Sequence, residues 1–225
     1  MRQSSYVSSL TTFYGRLNHS GSWAGDAATH LATPGIKRLC STLALGVVVW
    51  RECYTGVVIF SNAMKLGVIS DTHEHLDNIE KAKKVFAQHG ASPIIHLGDY
   101  CSGPSVRAFA GSKIVGIYGN NDGDLLRIQG NMQKIGGDFR GEFCVLKFDD
   151  LEIACYHGTV PEITEALIDS GTYDVVLYGH THETHQETRK NVLVLNPGSA
   201  HGFGKAGTVA IIDTNAKTTE IIELA

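Results

Sequence analysis

The feature that most constrains this chain is an alternation between residues 64 and 119 of short apolar runs and helical stretches, each apolar run stopping at a glycine or a polar turn. KLGVIS (65–70), PIIHLG (93–98) and KIVGIYG (113–119) have the length of buried strands. Between the first two, Asp77 to His89 reads as a helix with Asp77 as its N-cap and Ile79, Ala82, Val85 and Phe86 on one face. Pro104 to Ala110 suits a shorter helix. Strands alternating with helices in this way imply a βαβαβ unit with parallel strands.

The second half has a more antiparallel pattern. EFCVLKF (142–148) and LEIACYH (151–157) flank Asp149-Asp150, a tight-hairpin signal. A helix is expected from about Pro161 to Ser170, with proline in its first turn. VVLYGH (175–180) is another buried strand, THETHQETRK and NVLVLNP read as a hairpin, and GTVAIIDT and TTEIIEL close the chain as a strand pair around Asn215.

Residues 1–63 differ from this block. They hold five basic residues (Arg2, Arg16, Lys37, Arg38, Arg51) and two acidic ones (Asp26, Glu52), so with a whole-chain charge of -4 the segment carries +3 and residues 64–225 carry -7. Rich in Ser, Thr and Gly, the segment is expected to be a poorly ordered or non-native extension, with an organellar targeting peptide or an added strand or helix over 43–60 as the other readings. Its apolar run STLALGVVVW (41–50) is shorter than the roughly 20 residues a bilayer crossing takes. Residues 64–225 form the expected functional domain. The acidic balance disfavours a protein held on nucleic acid by bulk charge, and no membrane association is expected. Five cysteines without a CxxC pair leave zinc ribbons and thioredoxin-type sites unsupported and fit a reduced, cytoplasmic setting.

Chemistry enters at the strand ends. Asp71 and His73 follow the first strand, Gly98-Asp99 ends the second, and Gly119-Asn120-Asn121-Asp122 the third. His157-Gly158 and Gly179-His180-Thr181-His182 end two more. Ligands bind at the carboxyl ends of strands in open α/β sheets, and five strands here deliver Asp, Asn or His to that edge. In extended chain, residues two apart face the same side, so Asp71 with His73, and His180 with His182, could each grip one ion. Oxygen and imidazole donors without thiolate suit Mn, Fe, Zn or Ni. Seven candidate ligands exceed what one ion needs. Two ions sharing a carboxylate, with Asp99 the natural bridge, would use them all. His96, inside an apolar strand, reads as a satisfied core histidine. His185 and His201 read as solvent-facing, and Lys81, Lys83 and Lys84 as a solvated helix face.

The set D-x-H, GD, GN-x-D, HG and GH-x-H, in this order over residues 64–225, resembles the calcineurin-like metallophosphoesterases, and in size the small single-domain phosphodiesterases of bacteria and archaea. The resemblance implies an α/β fold in which two β-sheets pack as a sandwich flanked by helices, four layers in all (α/β/β/α). It implies that Asp71, His73, Asp99 and His182 hold one divalent metal and that Asp99, Asn120, His157 and His180 hold a second. It further implies hydrolysis of a small phosphate ester by a metal-bridging hydroxide, with Mn the expected metal. Asn120 and Asn121 would meet charge on the phosphoryl oxygens, His157 belongs to the catalytic set, and Asp122 would orient a metal-bound histidine or the turn. NPGS (196–199) also resembles a stretch common in small members. Two departures stand out: Asn121 replaces a His or Cys after the metal-binding Asn, and HGFGKAG follows NPGS where a Pro-Arg pair is frequent. Asn cannot act as a general acid, so esters with good leaving groups are the expected substrates. The alternatives are a non-catalytic retromer-type scaffold or a metal-binding regulator on the same fold. A homodimer through the hydrophobic strands is also open.

Overall fold

The computed structural model describes residues 31–33, 36–38 and 64–225 except 149. The chain divides into two units, Met1–Ser61 and Asn62–Ala225. In the first, β1 (Leu31–Thr33) and β2 (Ile36–Arg38) pair antiparallel. The rest of the extension expected over 1–63, its apolar run included, lies outside the described residues.

In the second unit the parallel βαβαβ expectation holds. Strands β3 (Lys65–Ile69), β4 (Ala91–His96), β5 (Ile114–Gly116) and β6 (Asp138–Phe139) run parallel. The C-terminal hairpin of β12 (Gly207–Asp213) and β13 (Thr218–Leu224) adds antiparallel to β3, giving six strands in the order β13-β12-β3-β4-β5-β6. The second sheet has five strands: β7 (Phe143–Phe148), β8 (Leu151–Tyr156), β9 (Val175–Leu177), β10 (Thr184–Arg189) and β11 (Val192–Pro197), in the order β10-β11-β9-β8-β7. Its three central strands are parallel and both edges are antiparallel.

The sheets pack face to face because alternate side chains on their facing strands are apolar. Leu66, Val68, Ile95, Leu97 and Ile117 from the first sheet share one buried cluster with Ile153, Cys155, Val175, Leu177 and Leu195 from the second. The outer face of the first sheet is covered by α1 (Leu76–His89), α2 (Gly103–Arg107) and α3 (Leu125–Lys134), through Ile79, Phe86, Val106, Ile128 and Met132. On the second sheet, α4 (Pro161–Asp169) packs Ile168 on Ala154, Val176 and Val194. The result is the four-layer α/β/β/α arrangement. No helix among the described residues is long and apolar enough to cross a membrane.

Three elements depart from the sequence reading, one of them the two-residue strand β6, which it lacks. Helix α1 is capped by His75, whose Nδ1 accepts the Asn78 N–H at 3.3 Å, and Asp77 lies one residue inside, where its negative charge suits the helix N-terminus. Helix α3 is absent from the sequence reading. It buries only Ile128, Asn131 and Met132, too narrow an apolar stripe to register as a period, and Asp124 caps it by accepting the Arg127 N–H at 3.1 Å. The fold brings the carboxyl ends of β3, β4, β5, β8 and β9 to one edge of the sandwich, where both sheets contribute loops.

Candidate metal centre

All seven residues singled out as ligands meet at that edge. Asp71 and Asp99 are fully buried and His157 nearly so. His73 Nε2 lies 3.4 Å from Asp99 Oδ2 and 3.8 Å from Asp71 Oδ1. His182 Nε2 lies 3.3 Å from Asp71 Oδ1, and His157 Nε2 lies 3.5 Å from Asp99 Oδ2. One donor atom from each of Asp71, His73, Asp99 and His182 falls within 4.8 Å of the others, a grouping that could hold a metal ion. Beside it, Asn120 Oδ1 lies 3.1 Å from His157 Nε2, and the His157 and His180 rings meet edge to face at 5.3 Å.

The backbone reaches this arrangement by another route than an extended chain. Asp71 (φ 53°), His73 (φ 38°), Asp99 (φ 61°), His180 (φ 69°) and His182 (φ 62°) all adopt left-handed backbone. For residues with a Cβ this costs on the order of 1 kcal/mol or more each, and such strain concentrates at functional sites. The turns are held from neighbouring loops: Asp71 N–H donates to Gly98 O and His73 N–H to Asp99 O, both at 3.1 Å. His180 N–H, from the second sheet, donates to Asp71 Oδ2 at 3.1 Å and so ties the two sheets at the site.

Two of these side chains are also aimed by neighbours. His157 Nδ1 lies 2.7 Å from Leu97 O; a carbonyl only accepts, so this nitrogen carries a hydrogen, and the bond orients the ring with Nε2 toward the site. Asn121 donates to Asp99 twice, from its backbone N–H and from Nδ2, each at 2.8 Å. Its side-chain amide is thus engaged with a carboxylate. Asp122 orients the turn and touches no histidine. It accepts the N–H groups of Asp99 at 3.0 Å, Cys101 at 2.8 Å and Gly119 at 2.8 Å. Burial pushes its carboxyl pKa up.

The electrostatics describe a site that demands positive charge. The Asp71 and Asp99 carboxylates facing its ring raise His73 to about 9. For Asp99, burial opposes ionisation, yet the His157 and His73 rings beside it outweigh burial and hold the carboxyl far below the usual carboxylate range. Burial likewise opposes the charging of His157, but Asp99 and Asp71 raise it overall. Asp71 Oδ1 and His73 Nε2 are buried with no hydrogen-bond partner. Buried polar atoms are normally satisfied, so two orphans pointing into a cluster of carboxylate and imidazole donors fit a bound cation.

Other residues had no role readable from sequence. Asn196 Nδ2 donates to Gly179 O at 2.9 Å and Ser199 Oγ to Asp71 O at 2.9 Å, so the NPGS stretch braces both the GHTH and the DTH loops. Cys101 Sγ lies 3.2 Å from His73 Nδ1, and burial pushes this thiol up to about 12. Phe203 stacks on the His182 ring at 4.4 Å and meets His73 edge-on at 4.9 Å. His201, expected in solvent, lies at the rim, 6.2 Å from the His73 ring. His96 is the satisfied core residue expected: its Nδ1 accepts Gly98 N–H, and Nε2 meets Thr72 Oγ1, both at 3.1 Å.

A sandwich of two mixed sheets with a carboxylate–histidine cluster at one strand-end edge defines a metallophosphoesterase-type architecture. Residues 64–217 match the model of the calcineurin-like phosphoesterase superfamily domain, and the chain belongs to that superfamily. It is 39% identical over 158 residues to phosphodiesterase MJ0936 of Methanocaldococcus jannaschii, an alignment covering 68% of this chain and 95% of that protein. The solved structure of an archaeal phosphodiesterase superposes with a TM-score of 0.68 at 38% identity, covering 72% of this chain and all of that one. Vacuolar protein sorting 29 of Cryptosporidium parvum shares the fold with a TM-score of 0.52 at 18% identity, over 72% of this chain and 96% of that one.

Proposed function

We propose that this chain is a phosphodiesterase that works with two divalent metal ions, Mn the expected metal, on a small phosphate ester. Asp71, His73, Asp99 and His182 would hold one ion, and Asp99, Asn120, His157 and His180 the other. The observation carrying this reading is the pair of buried, unpartnered atoms, Asp71 Oδ1 and His73 Nε2, inside a cluster of carboxylate and imidazole donors. Ions held there supply positive charge against the phosphoryl oxygens and lower the pKa of water.

The chain's own groups do the positioning. Asn121 fixes both oxygens of Asp99, the shared ligand of this reading. Leu97 O orients the His157 ring. The thiol at the site, Cys101, is pushed up to about 12 by burial, stays protonated and makes a poor nucleophile. Asn121 has no proton to give a leaving group. The chemistry therefore favours diesters whose leaving groups depart as stable anions, such as aryl diesters. The relative named a phosphodiesterase supports the same substrate class. A retromer-type scaffold shares the fold, but a site with its whole ligand set and strained ligand backbones is more than a scaffold needs.

The test is hydrolysis of bis(p-nitrophenyl) phosphate by the full chain with Mn, with and without chelator. Turnover should require metal and fall at least 100-fold in Asp99→Asn and His157→Ala. Full activity in either variant would sink the assignment.

A further inference from the structure

Next to the proposed metal centre lies a groove of about 560 Å³ lined by His75, Asp77, Lys81, His201 and Lys205, among others. One wall is shared with the centre: the His75 and His201 rings meet at 5.2 Å, and His201 lies 6.2 Å from the His73 ring. The loop carrying His201 and Lys205 is anchored to α1, because Asn78 Nδ2 donates to Ala200 O at 2.8 Å. The groove is therefore a built extension of the site's rim, formed by α1 and the loop before β12.

Its charge is unusual for this molecule. Residues 64–225 carry -7, yet this groove gathers two lysines and two histidines against the single carboxylate of Asp77. Among the described residues neither Lys81 nor Lys205 has a carboxylate within 4 Å, a state shared with Lys65, Lys84, Lys113 and Lys134, so both ammonium groups are available to an anion. Burial, and then the neighbouring His75, His73 and His182, pull the His201 pKa down.

We propose that this groove is an anion subsite, and that the substrate is a phosphodiester bearing a second phosphoryl group on its non-leaving arm. The reacting phosphate would sit at the centre and the second phosphate between Lys81 and Lys205. The substrate assignment rests on the phosphodiesterase reading; the anion subsite does not.

A matched pair of probes tests it: the p-nitrophenyl ester of thymidine 5′-phosphate, with and without a 3′-phosphate. Both release the same leaving group. The Mn-loaded full chain should show a KM about tenfold lower for the 3′-phosphorylated ester, an advantage that shrinks with added salt. In Lys81→Met/Lys205→Met the advantage should vanish while the rate on the ester without 3′-phosphate stays unchanged. An equal KM for the two esters in the unaltered protein, or an advantage that survives the double substitution, overturns the proposal. Calorimetric binding of thymidine 3′,5′-bisphosphate and thymidine 5′-monophosphate to chelator-treated protein separates the two readings. If neither ester is hydrolysed but the bisphosphate binds tighter, and only with both lysines present, the phosphodiesterase reading fails and the subsite stands. No difference in binding overturns the subsite itself.

Discussion

Replacing Asp122 with Ala should destabilise the domain more than any change at an exposed position, although Asp122 contacts none of the proposed ligand side chains. Its buried carboxylate accepts three backbone N–H groups, from Asp99, Cys101 and Gly119, at 2.8–3.0 Å. Hydrogen bonds to a charged acceptor contribute about 1.5–3 kcal/mol each, and their loss leaves buried donors unsatisfied. Burial of the carboxylate takes back part of this, as its raised pKa indicates. The net loss should be about 4 kcal/mol, against a total of about 5–15 kcal/mol for a typical domain. Asp122→Asn keeps the shape but turns an NH₂ toward at least one N–H donor, and should lose about 2 kcal/mol. With a urea m-value of about 2 kcal/mol/M, the midpoint should fall by about 2 M for Ala and about 1 M for Asn. Both tryptophans, Trp23 and Trp50, lie in the N-terminal segment, so far-UV circular dichroism is the suitable probe. A folded Asp122→Ala protein with a midpoint within about 0.3 M of the unaltered chain would refute the reasoning.

Four further outcomes are expected. Gly119→Ala would bring its Cβ onto the Asp99 carboxylate, with Cγ 2.8 Å away, and should weaken Mn binding at least tenfold by calorimetry; unchanged affinity would show that the turn yields. His73, raised to about 9, contributes stability that is fully present below its ordinary value of 6.5 and is lost as pH rises through about 9, so the urea midpoint of chelator-treated protein should fall between pH 7 and 10. Because metal must displace that proton, Mn uptake at pH 7 should release protons, seen as a dependence of the binding heat on buffer ionisation enthalpy; a buffer-independent heat would contradict this. Asn121→Ala removes the Nδ2 donor to Asp99 and should weaken Mn binding about fivefold, and an unchanged affinity would place Asp99's orientation elsewhere.

The sequence was most legible where function leaves polar residues at the ends of apolar runs. Asp71, Asp99 and His157 could be picked out because a charge or imidazole directly after a buried strand has no packing reason to be there. The local route to the site was less legible. An extended DxH pairing is a reasonable expectation from spacing, but the left-handed backbones of Asp71 and His73 are held by a loop distant in sequence, through Gly98 O and Asp99 O. The roles of Cys101, Asn196, Ser199 and Phe203 depend on contacts between segments distant in sequence, and no local pattern marks them. Helix α3 escaped for a different reason: Leu125 and Leu126 are exposed while Asn131 is buried, so two of its four large apolar residues, Ile128 and Met132 being the others, lie off its packed face.

The central claim is a two-metal centre that turns over phosphodiesters. It is tested most directly by measuring metal stoichiometry and hydrolysis of bis(p-nitrophenyl) phosphate on one Mn-loaded sample of the full chain. Two ions per chain are expected, with turnover that disappears with chelator and returns with Mn. One ion or none per chain, or full occupancy with no hydrolysis, would contradict it.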